Sequence, residues 1–233
     1  MPKHLKKRFP TMTTTTRGTT AKVIRDHLLE DLMQGGDYHP GARIHMSALE
    51  KRYEVSSTPI RQALMLLVHD GILNYVDGGF EVRMPSYAEL CEMYDIRCAL
   101  EGLAVSKMVS AGLSQEELQE LRDIQTALEN AIKDRPLQRQ LDQQFHEFIC
   151  NHCGSPMLSR LVRQYMVLST IFNYVEVYMP EVVRPTKAAY HAFCMQHRRI
   201  LTAIESGDPE KARRAVAHHI THTRKYFERI HIN

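Results

Sequence analysis

One aspartate and a set of histidines carry the spacing that could do chemistry in this chain. Asp142 and His146 stand four residues apart in a stretch of helical periodicity, which places them on one face in adjacent turns. His197 precedes Gly207 by ten residues, and the adjacent pair His218 and His219 follows it by eleven and twelve. At about 1.5 Å of rise per residue, an antiparallel helical hairpin turning at Gly207 brings His197 level with that pair. Only one of two adjacent histidines can face inward, and spacing alone leaves the choice open. A lone histidine at such a place is ordinarily a hydrogen-bonded core residue. One carboxylate and three imidazoles in matching register instead suit a borderline divalent cation, Zn²⁺ foremost, with Ni²⁺, Mn²⁺ and Fe²⁺ also served. Such a set leaves positions for water or a ligand. His222, four residues beyond His218, reads as a supporting donor or as solvent-exposed, and His152 and His191 have no spacing argument.

Other reactive types give weaker patterns. Arg97 and Glu101 are four apart, which in its plainest form is a helix salt bridge worth a few tenths of a kcal/mol. Cys150-x-x-Cys153 lacks a second pair, a strand context or a Gly-Pro core, which excludes a zinc ribbon or a thioredoxin site. Cys91 and Cys98, seven apart, read as helix core. Five cysteines, an odd number, point to free thiols in a reducing cytosol.

The elements that position these residues follow from length and periodicity. A chain of 233 residues makes one large domain or two modest ones. With 43% hydrophobic and 24% charged residues it is neither collagen-like, wholly disordered nor a disulfide scaffold. No apolar run reaches the roughly 18–20 residues of a membrane span, and the first residues lack the apolar stretch of a signal peptide. Cytoplasmic residence is therefore expected. The formal net charge of +3 lies wholly before Pro85, with 12 Lys and Arg against 9 Asp and Glu there. That asymmetry favours a polyanion partner for the first third. Lys3, Lys6, Lys7 and Arg8 supply more than the whole excess, so the basic character belongs to an arm over residues 1–19.

From Thr20, the residues Ala21, Ile24, Leu28 and Leu32 form one apolar helical stripe, ended by Gly35-Gly36. Ser47 and Glu50 read as a capping box opening a short second helix. Thr58-Pro59 restarts a third, capped by the threonine hydroxyl, with Ile60, Ala63, Leu64 and Leu67 on its apolar side until Gly71. Residues 72–76 and 80–83 flank Asp77-Gly78-Gly79 and read as a β-hairpin. Helix, helix, turn, helix, hairpin is the order of a winged helix-turn-helix over residues 20–84. Pro85-Ser86 is the linker, and Ser86 with Glu89 is another capping box. Residues 85–233 then read as helices near 87–109, 114–133, 137–152, 156–178, 186–206 and 209–230. The expected fold is mainly α: three helices and a small hairpin, followed by an all-α six-helix antiparallel bundle.

These residues carry a likeness to a known family. Pro40-Gly41-x-Arg43-Ile44, Val55-Ser56-x-Thr58-Pro59-Ile60-Arg61-x-Ala63-Leu64 and Gly79-Phe80-x-Val82 resemble the head of the GntR superfamily of bacterial transcription regulators. Arg97-x-x-Leu100-Glu101, Asp142-x-x-Phe145-His146 and the stretch from His197 through Gly207-Asp208 to His219-Ile220 resemble its all-helical FCD ligand-binding domain. The six-helix form is more similar to the VanR-type than to the FadR-type branch. The resemblance implies metal binding at Asp142, His146, His197 and His219, and so selects His219 over His218. It also implies that Arg97, beside Glu101, points into the bundle and clamps an effector carboxylate.

In the head, the resemblance implies DNA contacts from Arg43, Ser57, Thr58, Arg61, Gln62 and the wing glycine Gly78. Arg61 can meet a phosphate or guanine N7/O6, Gln62 can read adenine, and Ser57 and Thr58 can offer hydroxyl and N–H groups to phosphate. Two positions depart from the family pattern. Ser57 stands where the family usually has a base-reading arginine, and Asp77 stands at the wing tip, where an acid meets phosphates unfavourably. The reading is a homodimeric, metabolite-responsive regulator of double-stranded operator DNA, a repressor, that binds a divalent metal and a small organic acid. Its rivals are a metalloenzyme built on the Asp and three His, a regulator that senses the metal itself, and a purely structural metal. No separate general base or nucleophile stands out, so no enzyme activity is expected.

Overall fold

Helix α1 (Arg17–Gln34) buries Ala21, Ile24, Leu28 and Leu32 on one stripe. The structure is a computed structural model describing residues 17–34, 38–131, 134–172 and 187–231. The expected Gly35-Gly36 stop, the Pro180 to Pro185 break and residues 1–16 of the arm lie outside the described residues, and α1 already begins at Arg17. Next come β1 (Arg43–Ile44), α2 (Met46–Tyr53), α3 (Ser57–His69), β2 (Leu73–Val76) and β3 (Gly79–Val82). The strands form one antiparallel sheet in the order β1-β3-β2, with Arg43 opposite Glu81 and Leu73 opposite Val82. Val76 pairs with Gly79 across a two-residue turn, and Asp77 and Gly78 both take positive φ, 46° and 74°. That is the type I′ geometry whose twist matches a hairpin. Ile24, Leu49, Ile60, Leu64, Phe80 and Val82 meet in the core of this winged head.

Three local expectations are corrected. The sheet has a third strand, β1, because Ile44 turns inward beside β3 while Arg43 stays exposed. Helix α2 starts at Met46 with His45 as its cap residue and no side-chain cap bond, so the Ser47–Glu50 box does not form. Helix α3 starts at Ser57 after Ser56, again without a side-chain cap bond, so Thr58 lies inside the helix. Pro59 falls in the first turn, where a missing N–H leaves no helical bond unmade.

Six helices follow: α4 (Tyr87–Ala111), α5 (Gln115–Asn130), α6 (Arg135–His152), α7 (Pro156–Phe172), α8 (Lys187–Glu205) and α9 (Pro209–His231). The end of the expected 156–178 helix lies outside the described residues. Capping boxes open α4 (Ser86, Glu89) and α5 (Ser114, Glu117), and the Asp134 side chain accepts from Leu137 N at 3.1 Å to open α6. Helix α4 is the central rod, packed on α9, α7 and α6, while α5 packs on α6 and α8. Cys91 and Cys98 are half-buried at its edge rather than core, whereas Cys150, Cys153 and Cys194 are buried free thiols. Among the described residues no helix is long and apolar enough to cross a membrane.

Candidate metal centre

Helix α6 carries Asp142 and His146 one turn apart, α8 carries His197, and α9 carries His219. The α8–α9 hairpin turns at Gly207 and sets His197 beside His219, with ring centroids 4.4 Å apart. His146 lies 5.4 Å from the His197 ring and 5.1 Å from the His219 ring. One ligand atom from each of the four residues lies within 4.8 Å of the others. The three histidines are buried, and the Asp142 side chain, 46% exposed, is the face of the cluster nearest solvent. His218 points outward and is exposed, as is His222, which lies beside Phe193.

The outer nitrogens decide where the protons sit. His197 Nδ1 lies 3.1 Å from the Phe193 carbonyl, which can only accept, so the proton is on Nδ1. His219 Nδ1 lies 3.2 Å from Gln196 Oε1, also an acceptor. His146 Nδ1 lies 2.7 Å from Glu101 Oε2, and a carboxylate at that distance requires a proton on the ring nitrogen. With their outer nitrogens so engaged, all three rings turn Nε2 inward. His146 Nε2 and His219 Nε2 face each other at 3.2 Å, and His197 Nε2 stands 3.0 Å from Asp142 Oδ1 with no hydrogen bond of its own. Three inward nitrogens beside a carboxylate are held together by positive charge, which a ring proton or a bound cation supplies. The donor chemistry fits a divalent cation.

The charges around the cluster act on its members in different senses. Burial opposes ionisation of Glu101, but Arg97 and then His146 outweigh it and hold the carboxyl down at about 2. Burial likewise opposes ionisation of Asp142, yet His197 beside it holds the carboxyl below the usual range. Burial lowers His146, but Glu101 outweighs it and raises the ring above an ordinary histidine. Burial, then the charges of His197 and His146, push His219 well below.

Arg97 and Glu101 form their ion pair, Nε to Oε1 at 2.7 Å, and both are buried. Glu101 thus spends one oxygen on Arg97 and the other on His146, so it braces the cluster from behind. Arg97 Nη1 donates to Ser169 Oγ at 2.8 Å, while Nη2 has no partner among the described residues. Gln196, Phe193 and Ser169 escaped the sequence reading. Gln196 abuts His197 in the chain, which is a faint signal, and Ser169 had none.

In the head, Ser57, Thr58, Arg61 and Gln62 are all exposed on α3, opposite its buried residues Ile60, Ala63, Leu64 and Leu67. Arg61 makes no hydrogen bond or ion pair among the described residues. Gly78 is exposed at the wing tip, and Arg43 pairs with Asp77 at 3.3 Å and with Glu81 at 4.0 Å. The acid at the wing tip is therefore partly neutralised from the neighbouring strand.

A winged head joined to a six-helix bundle is the architecture of a two-domain DNA-binding regulator. Residues 20–82 match the bacterial regulatory proteins of the gntR family and residues 92–222 match the FCD domain, so the chain belongs to the GntR-family regulators of the FCD class. It is 29% identical over 210 residues to YdhC, an HTH-type transcriptional regulator of Bacillus subtilis (strain 168), covering 87% of this chain and 88% of YdhC. It is 24% identical to the HTH-type transcriptional repressor GlaR of Escherichia coli (strain K12), covering 83% of this chain and 89% of GlaR. The fold matches E. coli McbR/YncC with a TM-score of 0.77 at 22% identity, covering 94% of this chain and 99% of that one. The protein is a DNA-binding transcription regulator and not an enzyme.

Proposed function

We propose that this regulator holds a divalent cation between Asp142, His146, His197 and His219, and that a small carboxylate effector bound beside it governs the grip on operator DNA. The observation that carries the reading is the convergence of three buried imidazole nitrogens and one carboxylate oxygen, all within 4.8 Å of one another. Zn²⁺ heads the order by donor type, with Ni²⁺, Mn²⁺ and Fe²⁺ accepting the same set. The cation neutralises the cluster and supplies a Lewis-acidic position to which a carboxylate can add. Arg97, braced by Glu101, offers its remaining Nη2 edge to that carboxylate.

Residues 17–84 act as the reading head, residues 85–233 as the sensor and dimerisation domain, and the basic arm before Arg17 follows the minor groove. Arg61 and Gln62 read bases, Ser57 and Thr58 meet phosphate, and Arg43 and Gly78 bring the wing to the backbone. A homodimer in the cytoplasm then places two α3 helices on matching half-sites of a near-palindromic operator. Repression as the output is supported by the name of GlaR, a repressor.

Elemental analysis of the purified full chain, followed by salt-titrated binding to DNA flanking its own gene, tests this. Each titration is run with and without Zn²⁺ and a panel of mono- and dicarboxylates. The expected result is one cation per chain and a carboxylate-dependent loss of DNA affinity that requires the cation. A protein that neither retains nor gains any of the four metals overturns the reading.

A further inference from the structure

We infer that helix α7 couples the metal centre to the end of the recognition helix α3, gripping the centre through Ser169 and the head through Phe172. The inference rests on the proposed roles of the centre and of α3. On the sensor side the chain of contacts is short and buried. His146 Nδ1 meets Glu101 Oε2 at 2.7 Å, Glu101 Oε1 meets Arg97 Nε at 2.7 Å, and Arg97 Nη1 donates to Ser169 Oγ at 2.8 Å. Ser169 Oγ in turn donates to the Met166 carbonyl at 2.8 Å, which locks the hydroxyl to its own helix. Arg97, Glu101, His146 and Ser169 are all buried, so no bulk water takes up slack between them. In that setting a lost partner is costly, and a shift of His146 is passed on rather than absorbed.

Phe172 lies three residues after Ser169, one helical turn along α7, and is buried. Its ring sits 5.9 Å from the guanidinium carbon of Arg83. Arg83 is the junction of the head. Its N–H donates to the Ile72 carbonyl at 2.9 Å, its Nη1 reaches the Gly71 carbonyl at 3.5 Å, and its Nη2 pairs with Glu89 in the capping box of α4. Gly71 and Ile72 are the residues on which α3 ends, since their N–H groups bond back to Val68 and Leu67. A second contact runs beside the first. Helix α7 packs on α1, and Arg25 of α1 grips Asp70, the C-cap residue of α3, through Nη2 at 2.8 Å and Nε at 3.2 Å. Helix α7 therefore meets the head at Arg83 and at α1, each of which bonds to residues within 70–72, while its Ser169 is seated in the relay behind His146.

Hydrogen exchange on the full chain tests this, with Zn²⁺ alone as the probe and Ser169→Ala and Phe172→Leu as variants. Zn²⁺ affinity is measured in parallel by competition with a chromogenic chelator. In the wild type, Zn²⁺ is expected to change exchange at amides 66–72 by about 5-fold or more, the lower end of typical coupling. Phe172→Leu, which touches no ligand, should keep Zn²⁺ affinity within about 2-fold and lose most of that response. A wild type that binds Zn²⁺ with no response at 66–72, or a Phe172→Leu variant that keeps the full response, overturns the coupling. If the wild type binds no Zn²⁺, the metal reading has failed, and the coupling is decided in the metal-free chain. There Ser169→Ala should alter exchange at 66–72 in the Phe172 background but not in Phe172→Leu; equal effects in both overturn it.

Discussion

Gln196 Oε1 accepts from His219 Nδ1 at 3.2 Å, so helix α8 orients a histidine of α9 as well as supplying His197. Glu101 does the same for His146 from α4. Both residues fix which ring nitrogen holds the proton, and hence which one is free to bind. Removing either should lower metal affinity by about 10–100-fold without removing a ligand. Gln196→Leu and Glu101→Gln are the variants, and chelator competition is the measurement. Unchanged affinity in both would mean that the outer contacts do not orient the rings.

The four proposed ligands predict a metal-dependent stability. A cation that binds only the folded chain stabilises it by about 4 kcal/mol at 1,000 times its Kd. For a chain of this size that corresponds to a melting shift of roughly 8–16 °C. His197→Ala should abolish the shift, and Asp142→Asn should shrink it, because the amide keeps an oxygen donor but loses the charge. Scanning calorimetry with Zn²⁺ and then with a chelator checks both. A wild-type melting curve indifferent to either additive contradicts the site.

Much of this is legible in the sequence alone, for identifiable reasons. The α8–α9 hairpin could be placed from His197, Gly207 and His219 because helical rise is constant and the turn is short. The wing could be placed because Asp77-Gly78 favours one turn type and Leu73, Phe80 and Val82 supply its inward side chains. What escaped depends on how helices cross. Ser169 reaches Arg97 across 72 positions of sequence, and Gln196 reaches His219 across 23. Neither distance has a periodic signature. The cap of α2 failed for a local reason, since starting at Met46 puts Ser47 one residue inside the helix. Strand β1 is two residues long, too short for alternation to register.

The thiols should differ sharply in reactivity. Burial pushes the Cys150 thiol up to about 12, so at pH 8 only about one molecule in ten thousand holds the nucleophilic thiolate. Cys91 is half-buried and should alkylate first. Iodoacetamide labelling followed by peptide mass spectrometry should therefore show Cys91 modified while Cys150 stays intact, with Cys150 labelling still rising as pH increases beyond 9 or so. Rapid modification of Cys150 at pH 8 in folded protein would contradict its burial.

The head makes its own prediction, because its two candidate arginines stand in different electrostatic company. Arg61 is exposed on α3 with no ion-pair partner among the described residues, whereas Arg43 is shared between Asp77 and Glu81. An unpaired guanidinium that meets a guanine or a phosphate contributes its full contact, so Arg61→Ala should cost about 1–3 kcal/mol in operator binding. Arg43 already neutralises nearby carboxylates, so Arg43→Ala should cost less. Asp77→Asn should act in the opposite direction, because it removes an anion from the wing tip and releases part of Arg43. Its affinity for DNA of any sequence should rise, and the slope of log K against log salt should steepen by up to about 0.9, the contribution of one phosphate contact. Binding isotherms at three salt concentrations, on the operator and on an unrelated duplex, separate these effects. Loss of affinity in Asp77→Asn, or an Arg43→Ala penalty larger than that of Arg61→Ala, would show that the wing rather than α3 carries the main contact.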